Sequence, residues 1–356
     1  MLEAREQVFV AGVSHHTAPL DVRERIALDD AGKERLYGFL RDRGATAETL
    51  VLSTCNRTEV YGVGDQVACT DALKVFFRRE SGISSENWEN AFIVRTGEEV
   101  IRHLFEVCAG LNSQIVGETE ILGQVKAAYR AAADRRLVGP VLHRLFQKGF
   151  QASKWVRSHT GIGVGQVSIG NVAVDLAVRM FGHLGASRVM VVGSGEVGAA
   201  VVKSLHSRGV GGITVTSRRP AAADALAGEV GAQSLPFEDW SDWLFRFDII
   251  ICSTGAPEPI LPRAAMASAM RHRPGSPVFL IDVAVPRDVD PLVEGLEDVF
   301  LYNMDDLAAI ANENLEQRHA EIARCREFLA ERARRLAPLL QSSTVGATTG
   351  DRRDGR

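Results

Sequence analysis

The sequence predicts a multi-domain α/β protein: an α+β first part, a doubly wound parallel sheet in the middle and a long helix near the end. Three observations carry this. Residues 1–160 alternate short β-branched runs with amphipathic stretches. Residues 161–303 hold five short apolar runs separated by helical patterns, as strands covered on both faces require. From residue 304 to 340 a helical pattern persists for about 35 residues, a length of about 50 Å as a helix.

In the first part the expected strands are "VFVAGVS", "TLVLS", "EVYGV" and "AFIVR", and a long helical run from Glu98 to Ser158 closes it. The stretch "LVLSTCNRTEVYGV", Leu50 to Val63, reads as strand, turn, strand and sets Cys55 at the tip. A structural cysteine is usually buried and inert. One on a turn, with Arg57 two residues on, is placed to ionise, because a fixed cation favours the thiolate. "HTGIGVGQVSIGN", His159 to Asn171, is glycine-rich and reads as a linker.

The middle strands are "SRVMVVG", "GITVTS", "FDIIICST", "PVFLIDVA" and "DVFLYN". In the last region Leu315, Ile322, Leu329 and Leu336 recur every seventh residue, while Arg318 and Arg332 interrupt the second row and leave a narrow seam. Pro338 is expected to end or kink this helix. Residues 341–356 have no apolar periodicity and are expected to be disordered.

The chain of 356 residues is long enough for two or more domains, and 46% apolar with 24% charged residues is ordinary for a soluble globular protein. A net charge of −4 gives no global attraction for nucleic acid, so any such partner is held by a local patch. The five cysteines form no CxxC pair and no cluster with histidine, which argues for free thiols, a reducing compartment and no metal site. No apolar run is long enough to span a bilayer, so a cytoplasmic protein without a membrane partner is expected.

In "VMVVGSGEVGAAVVKSL", Gly193, Ser194, Gly195, Glu196, Val197 and Gly198 form a GxGxxG loop directly after an apolar strand. The pattern alone is weak. Its context strengthens it, because Val197, Ala200, Val201, Ser204 and Leu205 share one helix face and a second strand follows at βαβ distance. This is a Rossmann-type dinucleotide site. NAD sites end the second strand on an acid, whereas this strand ends Thr216-Ser217-Arg218-Arg219, with no acid before Asp224. Ser217 and Arg218 suit a 2′-phosphate and hence NADPH. The alternative is that the arginines lie on a solvated turn.

A nucleotide hydride donor with a turn cysteine suggests acyl-to-aldehyde chemistry through a thioester. The helical stretch from His103, "HLFEVCAGLNSQIVGETEILGQVKAAY", breaks its apolar pattern with polar residues that either face solvent or line a pocket. Taken with "GVSHHTAPLDVRE", "STCNRTEVY", "GSGEVG" and "DVAVPRDVDP", it makes the chain resemble the glutamyl-tRNA reductase family over residues 12 to 305. That resemblance implies NADPH-dependent reduction of glutamyl-tRNA(Glu) to glutamate-1-semialdehyde with release of tRNA, the first step of tetrapyrrole synthesis from glutamate.

Roles follow for the matching residues. Cys55 is the nucleophile on the glutamyl carbonyl; Thr54, Asn56 and Arg57 frame the glutamyl group, Arg57 pairing with its side-chain carboxylate. Ser113, Glu118, Thr119, Glu120 and Gln124 complete the pocket, a glutamate holding the substrate ammonium. His103 is a candidate for proton transfer, or else a helix histidine satisfied locally. His15 and His16 lie in a motif without an assigned role.

The resemblance also implies hand-over of product to glutamate-1-semialdehyde aminomutase. It implies homodimers too, formed through a helical domain beyond the long helix. Barely a turn or two follows Leu336 here, so a monomer or weak dimer is expected. Two other readings compete. One is a shortened, non-catalytic relative that binds glutamyl-tRNA or haem as a regulator. The other is a shikimate-dehydrogenase-like oxidoreductase, which explains only the middle of the chain.

Overall fold

The computed structural model describes residues 7–82, 91–160, 162, 169–312 and 319–347. The chain divides into two compact units, one of residues 1–166 with 314–356 and one of residues 167–313.

The first unit is built on an antiparallel sheet of order β2-β3-β1-β4, with β1 Gln7–Ser14, β2 Thr46–Thr54, β3 Arg57–Gly64 and β4 Ile93–Thr96. One face carries Phe9, Ala11, Val13, Val51 and Val60 against α1 (Leu20–Ile26), α2 (Asp30–Arg41) and α3 (Gln66–Ser81). The other carries Val8, Val10, Leu50, Leu52 and Tyr61 against α4 (Glu98–Cys108), α5 (Glu120–Asp134) and α6 (Pro140–His159). Burial on both faces is why these strands read as apolar runs instead of alternating ones.

The helical run expected from Glu98 to Ser158 is thus three helices. Between α4 and α5 the chain turns at Gly110 (φ 74°) and Gly117 (φ 88°), with the Gly117 N–H donating to the Gly110 carbonyl at 2.9 Å. A Cβ at Gly110 would lie 2.6 Å from the Glu118 carbonyl oxygen, so the turn needs glycine there. Pro140 opens α6, where its missing N–H costs nothing.

The second unit holds a six-stranded parallel sheet of order β10-β9-β8-β5-β6-β7. Its strands are β5 Arg188–Val192, β6 Gly212–Thr216, β7 Gln233–Ser234, β8 Ile249–Cys252, β9 Val278–Asp282 and β10 Val299–Asn303. Counted from β5 this is the 3-2-1-4-5-6 order of dinucleotide-binding sheets, with its switch point between β5 and β8. Five strands match the five apolar runs. The two-residue β7 has no apolar signal and was invisible in the sequence. Helices α7 (Ile169–Phe181), α8 (Glu196–Ser207), α9 (Pro220–Val230), α10 (Arg263–Met270) and α11 (Met304–Asn312) complete the unit.

Helix α12 (His319–Ala347) belongs to the first unit. The single long helix expected from 304 is seen as α11 and α12, and Leu315 falls outside the described residues. The heptad seam is turned inward: Ile322, Leu329, Leu336 and Leu340 are buried with Cys325 and Ala333 in the core formed with α4 and α6. Helix α12 also continues through Pro338, and residues 341–347, expected in a disordered tail, are helical. An interior proline costs about 3 kcal/mol, which burial of Leu336 and Leu340 on either side, at about 2 kcal/mol each, offsets.

Candidate active site

Thr54 pairs with Arg57 across the β2–β3 ladder, so the loop shrinks to Cys55 and Asn56 alone. Three groups brace this tip through four hydrogen bonds. The Thr54 hydroxyl accepts the Asn56 N–H at 3.2 Å, and the His15 N–H donates to the Asn56 carbonyl at 2.9 Å. Arg23 on α1, buried, donates to the Cys55 carbonyl at 3.1 Å and to the Asn56 side-chain oxygen at 3.2 Å.

The cation at the turn is therefore Arg23, a residue inside the "DVRE" motif, and not Arg57. Nor is Cys55 a resting thiolate. Burial, joined by the Glu118 and Glu120 carboxylates, pushes the half-buried thiol up to about 12 against the opposing pull of Arg23. One guanidinium does not outweigh desolvation and two carboxylates. Alkylation of Cys55 by iodoacetamide in the free protein should accordingly keep accelerating up to pH 10. A plateau below pH 8 contradicts this. The other four thiols are buried and should react far more slowly.

Arg57 instead points into the sheet face it shares with Glu59 and Tyr61, as residues two apart on a strand do. Its guanidinium is 3.0 Å from the buried Glu59 carboxylate, and its other end donates to the Asn112 carbonyl and to the Asn112 side-chain oxygen, the latter at 3.2 Å. Glu59 also accepts the Tyr61 hydroxyl at 2.9 Å and lies 2.9 Å from His103 Nε2. Burial by itself would raise the Glu59 carboxyl. The charges of His103 and Arg57, with hydrogen bonds from His103 and Tyr61, overcome it and hold the group below the carboxylate range. His103 is thus a buried histidine oriented by a carboxylate.

The turn between α4 and α5 brings up the remaining polar residues. Ser113 and Glu118 are buried, and burial raises the Glu118 carboxyl against Ser113 and Arg57. Glu120 opens α5 half-buried, and Thr119 is exposed, its carbonyl taken by Arg157 at 3.2 Å. Gln124, one helical turn beyond Glu120, lines a cavity at the outer edge of β2. Arg23, Glu59 and Tyr61 are the members that sequence reasoning missed.

In the second unit the glycine loop caps α8. A Cβ at Gly193 would lie 2.6 Å from the Ser253 carbonyl oxygen and one at Gly198 2.2 Å from that of Gly193, whereas Gly195 faces open space. The Ser194 hydroxyl donates to Ser217 at 2.9 Å, and Ser217 donates to the Arg219 carbonyl at 3.0 Å. Arg218 and Glu196 are exposed and Val197 half-buried. A cavity of ≈ 350 Å³ lies over Gly193, Ser194, Gly195 and Ser217 to Arg219, with Ser253, Thr254 and Gly255 as its far wall. Thr254 is fixed there by the buried Asp288, which accepts its N–H at 2.7 Å and its hydroxyl. Open backbone at the α8 N-terminus, beside a serine and an exposed arginine, suits the pyrophosphate and ribose end of a dinucleotide.

Among the described residues no group of three or more His, Cys, Asp or Glu could hold a metal, and no helix is long and apolar enough to cross a membrane.

A dehydrogenase-type nucleotide-binding sheet in one of the two units marks the class as an oxidoreductase. Residues 11–160 match the model of the glutamyl-tRNAGlu reductase N-terminal domain, and residues 175–310 match that of shikimate / quinate 5-dehydrogenase. A glutamyl-tRNA reductase of Rubrobacter xylanophilus is 38% identical over 98% of this chain and 81% of its own length. One of Desulfovibrio desulfuricans is 38% identical over 97% and 80%. The solved glutamyl-tRNA reductase of Methanopyrus kandleri aligns with a TM-score of 0.50 at 34% identity, covering 96% of this chain and 80% of that one. The chain belongs to the glutamyl-tRNA reductase family. The shikimate-dehydrogenase likeness is confined to the second unit.

Proposed function

We propose that the protein reduces glutamyl-tRNA(Glu) to glutamate-1-semialdehyde through a Cys55 thioester, with NADPH as reductant. The observation that carries this reading is the Cys55 thiol, held on a two-residue tip by Thr54, His15 and Arg23. Cys55 Sγ bonds to the acyl carbon, the ester C–O bond breaks, and the departing ribose oxygen takes up a proton. NADPH held over the Gly193–Gly198 loop would supply a hydride to the acyl carbon, after which the C–S bond breaks, the aldehyde leaves and Cys55 returns as a thiolate.

The chain's own residues set up these events. Burial is the main reason the thiol stays protonated, and the Glu118 and Glu120 carboxylates add to it; a substrate ammonium placed at those carboxylates removes their share and so shifts the balance toward the thiolate. His103, oriented by Glu59, carries the proton. The glutamyl carboxylate reaches Arg57 by displacing Asn112, whose neutral oxygens are weaker acceptors than a carboxylate.

Because Glu59 already balances Arg57, an uncharged substrate leaves no unpaired charge. Glutaminyl-tRNA should therefore be rejected by about a hundredfold, short of the much larger penalty of an orphaned guanidinium. Comparable kcat/KM on both aminoacyl-tRNAs removes Arg57 from this role.

Ser217 is spent on Ser194 and Arg219, which leaves exposed Arg218 as the group that meets a 2′-phosphate. NADPH should be preferred over NADH by at least about tenfold in kcat/KM, and Arg218→Glu should abolish or reverse the preference. Equal use of both nicotinamides by the unaltered protein contradicts this assignment.

The reading as a whole is tested by a single-turnover assay with glutamyl-tRNA and NADPH, in which aldehyde should form in amounts stoichiometric with protein. Intact Cys55, His103 and glycine loop argue against the non-catalytic regulator. Tight binding of glutamyl-tRNA without any aldehyde would favour it.

A further inference from the structure

The cavity at the outer edge of β2, ≈ 260 Å³ in volume, shares only Gln124 with the residues assigned above. It opens where β2, the edge strand of its sheet, faces α2 and α5. Two independent paths along the chain lead from it to the nucleophile. Ser53 lines it and stands two residues before Cys55, about 7 Å along the strand. Gln124 lines it too and lies one helical turn, about 5.4 Å, beyond Glu120, whose carboxylate acts on Cys55.

The cavity exists because α5 presents only small residues there: Ala127, Ala128 and Ala131 follow Gln124 along the same face. Its floor is apolar, from Val51, Leu52 and these alanines, and Tyr37 closes one side, its hydroxyl accepting the Val51 N–H at 3.1 Å. Gln124 supplies an amide, whereas the Ser53 hydroxyl is taken by the Leu28 N–H at 2.9 Å and the Thr58 hydroxyl at 3.0 Å. At the rim stand Lys33, 3.1 Å from Asp30, and Arg135, paired with Glu34. Surface pairs of this kind are weak and yield readily to a phosphate.

In thiolysis of an aminoacyl ester the leaving oxygen is bonded to the same carbon that sulfur attacks. The nucleoside that carries this oxygen must therefore sit within a few bonds of Cys55. A largely apolar cavity with one amide, and cations at its mouth, fits a base with its sugar and the phosphate that follows. Its volume, below the roughly 300–1,000 Å³ of drug-sized sites, is that of one nucleoside rather than several.

We infer that this edge cavity receives the 3′-terminal nucleoside of the aminoacyl-tRNA, an inference that rests on the thioester reading above. Gln124 then serves the leaving group and not the glutamyl pocket. Selectivity for a nucleoside ester is built into the first unit, without reference to the body of the tRNA.

The test compares 2′(3′)-O-glutamyl-adenosine with glutamyl methyl ester, both without NADPH, by release of free glutamate. The unaltered protein should prefer the adenosine ester by at least about a hundredfold in kcat/KM. Ala127→Trp and Ala131→Trp, at exposed positions that fill the cavity, should each lower that ratio at least about tenfold. A merely structural disturbance slows both esters and leaves the ratio intact. Free adenosine should in addition inhibit methyl ester cleavage in the unaltered protein and not in the tryptophan variants. No preference in the unaltered protein, or a ratio unchanged in both variants, overturns the assignment. If neither ester is cleaved by the unaltered protein while both variants fold, the thioester reading itself has failed, and the assignment falls with it.

Discussion

Cys55→Ser protein is expected to neither reduce nor hydrolyse glutamyl-tRNA, with both rates down by at least about a thousandfold. The sulfur-to-oxygen exchange barely alters size, and the tip is held through the Cys55 and Asn56 carbonyls, the Asn56 N–H and side chain, none of which the substitution touches. What changes is the acidity and nucleophilicity of the attacking atom. Burial, with the Glu118 and Glu120 carboxylates, already holds the Cys55 thiol up to about 12 in the free protein, and on the proposed reading a substrate ammonium at those carboxylates lowers it. A serine hydroxyl starts several units higher still, and no such shift brings it within range. Reduction and hydrolysis share this first step, so they should fall together. Steady-state rates with and without NADPH check the prediction. Hydrolysis surviving at a tenth of its original rate would contradict it.

Glu59→Gln should cost the first unit about 3–5 kcal/mol of stability at pH 7, an effect as large as any single substitution here is expected to give. The carboxylate is the common partner of Arg57, Tyr61 and His103, all buried. The amide keeps the shape and loses the charge, which strands a buried guanidinium. The pH dependence has a definite sign. The Glu59 carboxyl is depressed in the folded protein, so its contribution is complete above the unfolded glutamate value of about 4.3 and is lost as pH falls below it. Denaturant titrations of the two proteins should therefore differ most near neutrality and converge in acid. A difference under about 1 kcal/mol at pH 7 would mean that the cluster does not hold the unit together.

Sequence patterns were most informative where burial is regular. The central strands of both sheets stood out because their two faces are covered, and the glycine loop because a strand, a tight turn and an amphipathic helix follow in order, whereas the exposed two-residue β7 did not. Cys55 stood out as a polar interruption between two such strands. Its electrostatics did not. Arg57 is two residues away in sequence, yet the hairpin sends it to the face of Glu59 and Tyr61, while the guanidinium at the tip comes from Arg23, 32 residues upstream. His103 meets Glu59 across 44 residues. No periodicity records such pairings; only motif membership hinted at them.

The C-terminal helix shows a second limit. The spacing of Ile322, Leu329 and Leu336 gives the width of a buried stripe but not what covers it, and here the cover is α4 and α6 of the same chain. Likewise the break between α4 and α5 was hidden by apolar residues that keep helical spacing across Gly110 and Gly117.

The most direct test of the account is to trap the acyl group. Protein is mixed with tRNA carrying radiolabelled glutamate, quenched in acid and assayed for label bound to the chain. Without NADPH the unaltered protein should carry near-stoichiometric label on Cys55 and slowly release free glutamate. Gly195→Asp should do the same even with NADPH present. Its new side chain meets open space, so the fold is kept, while its carboxylate repels a pyrophosphate at the α8 N-terminus. Cys55→Ser should carry none. Label persisting at the unaltered level in Cys55→Ser would contradict the thioester mechanism outright.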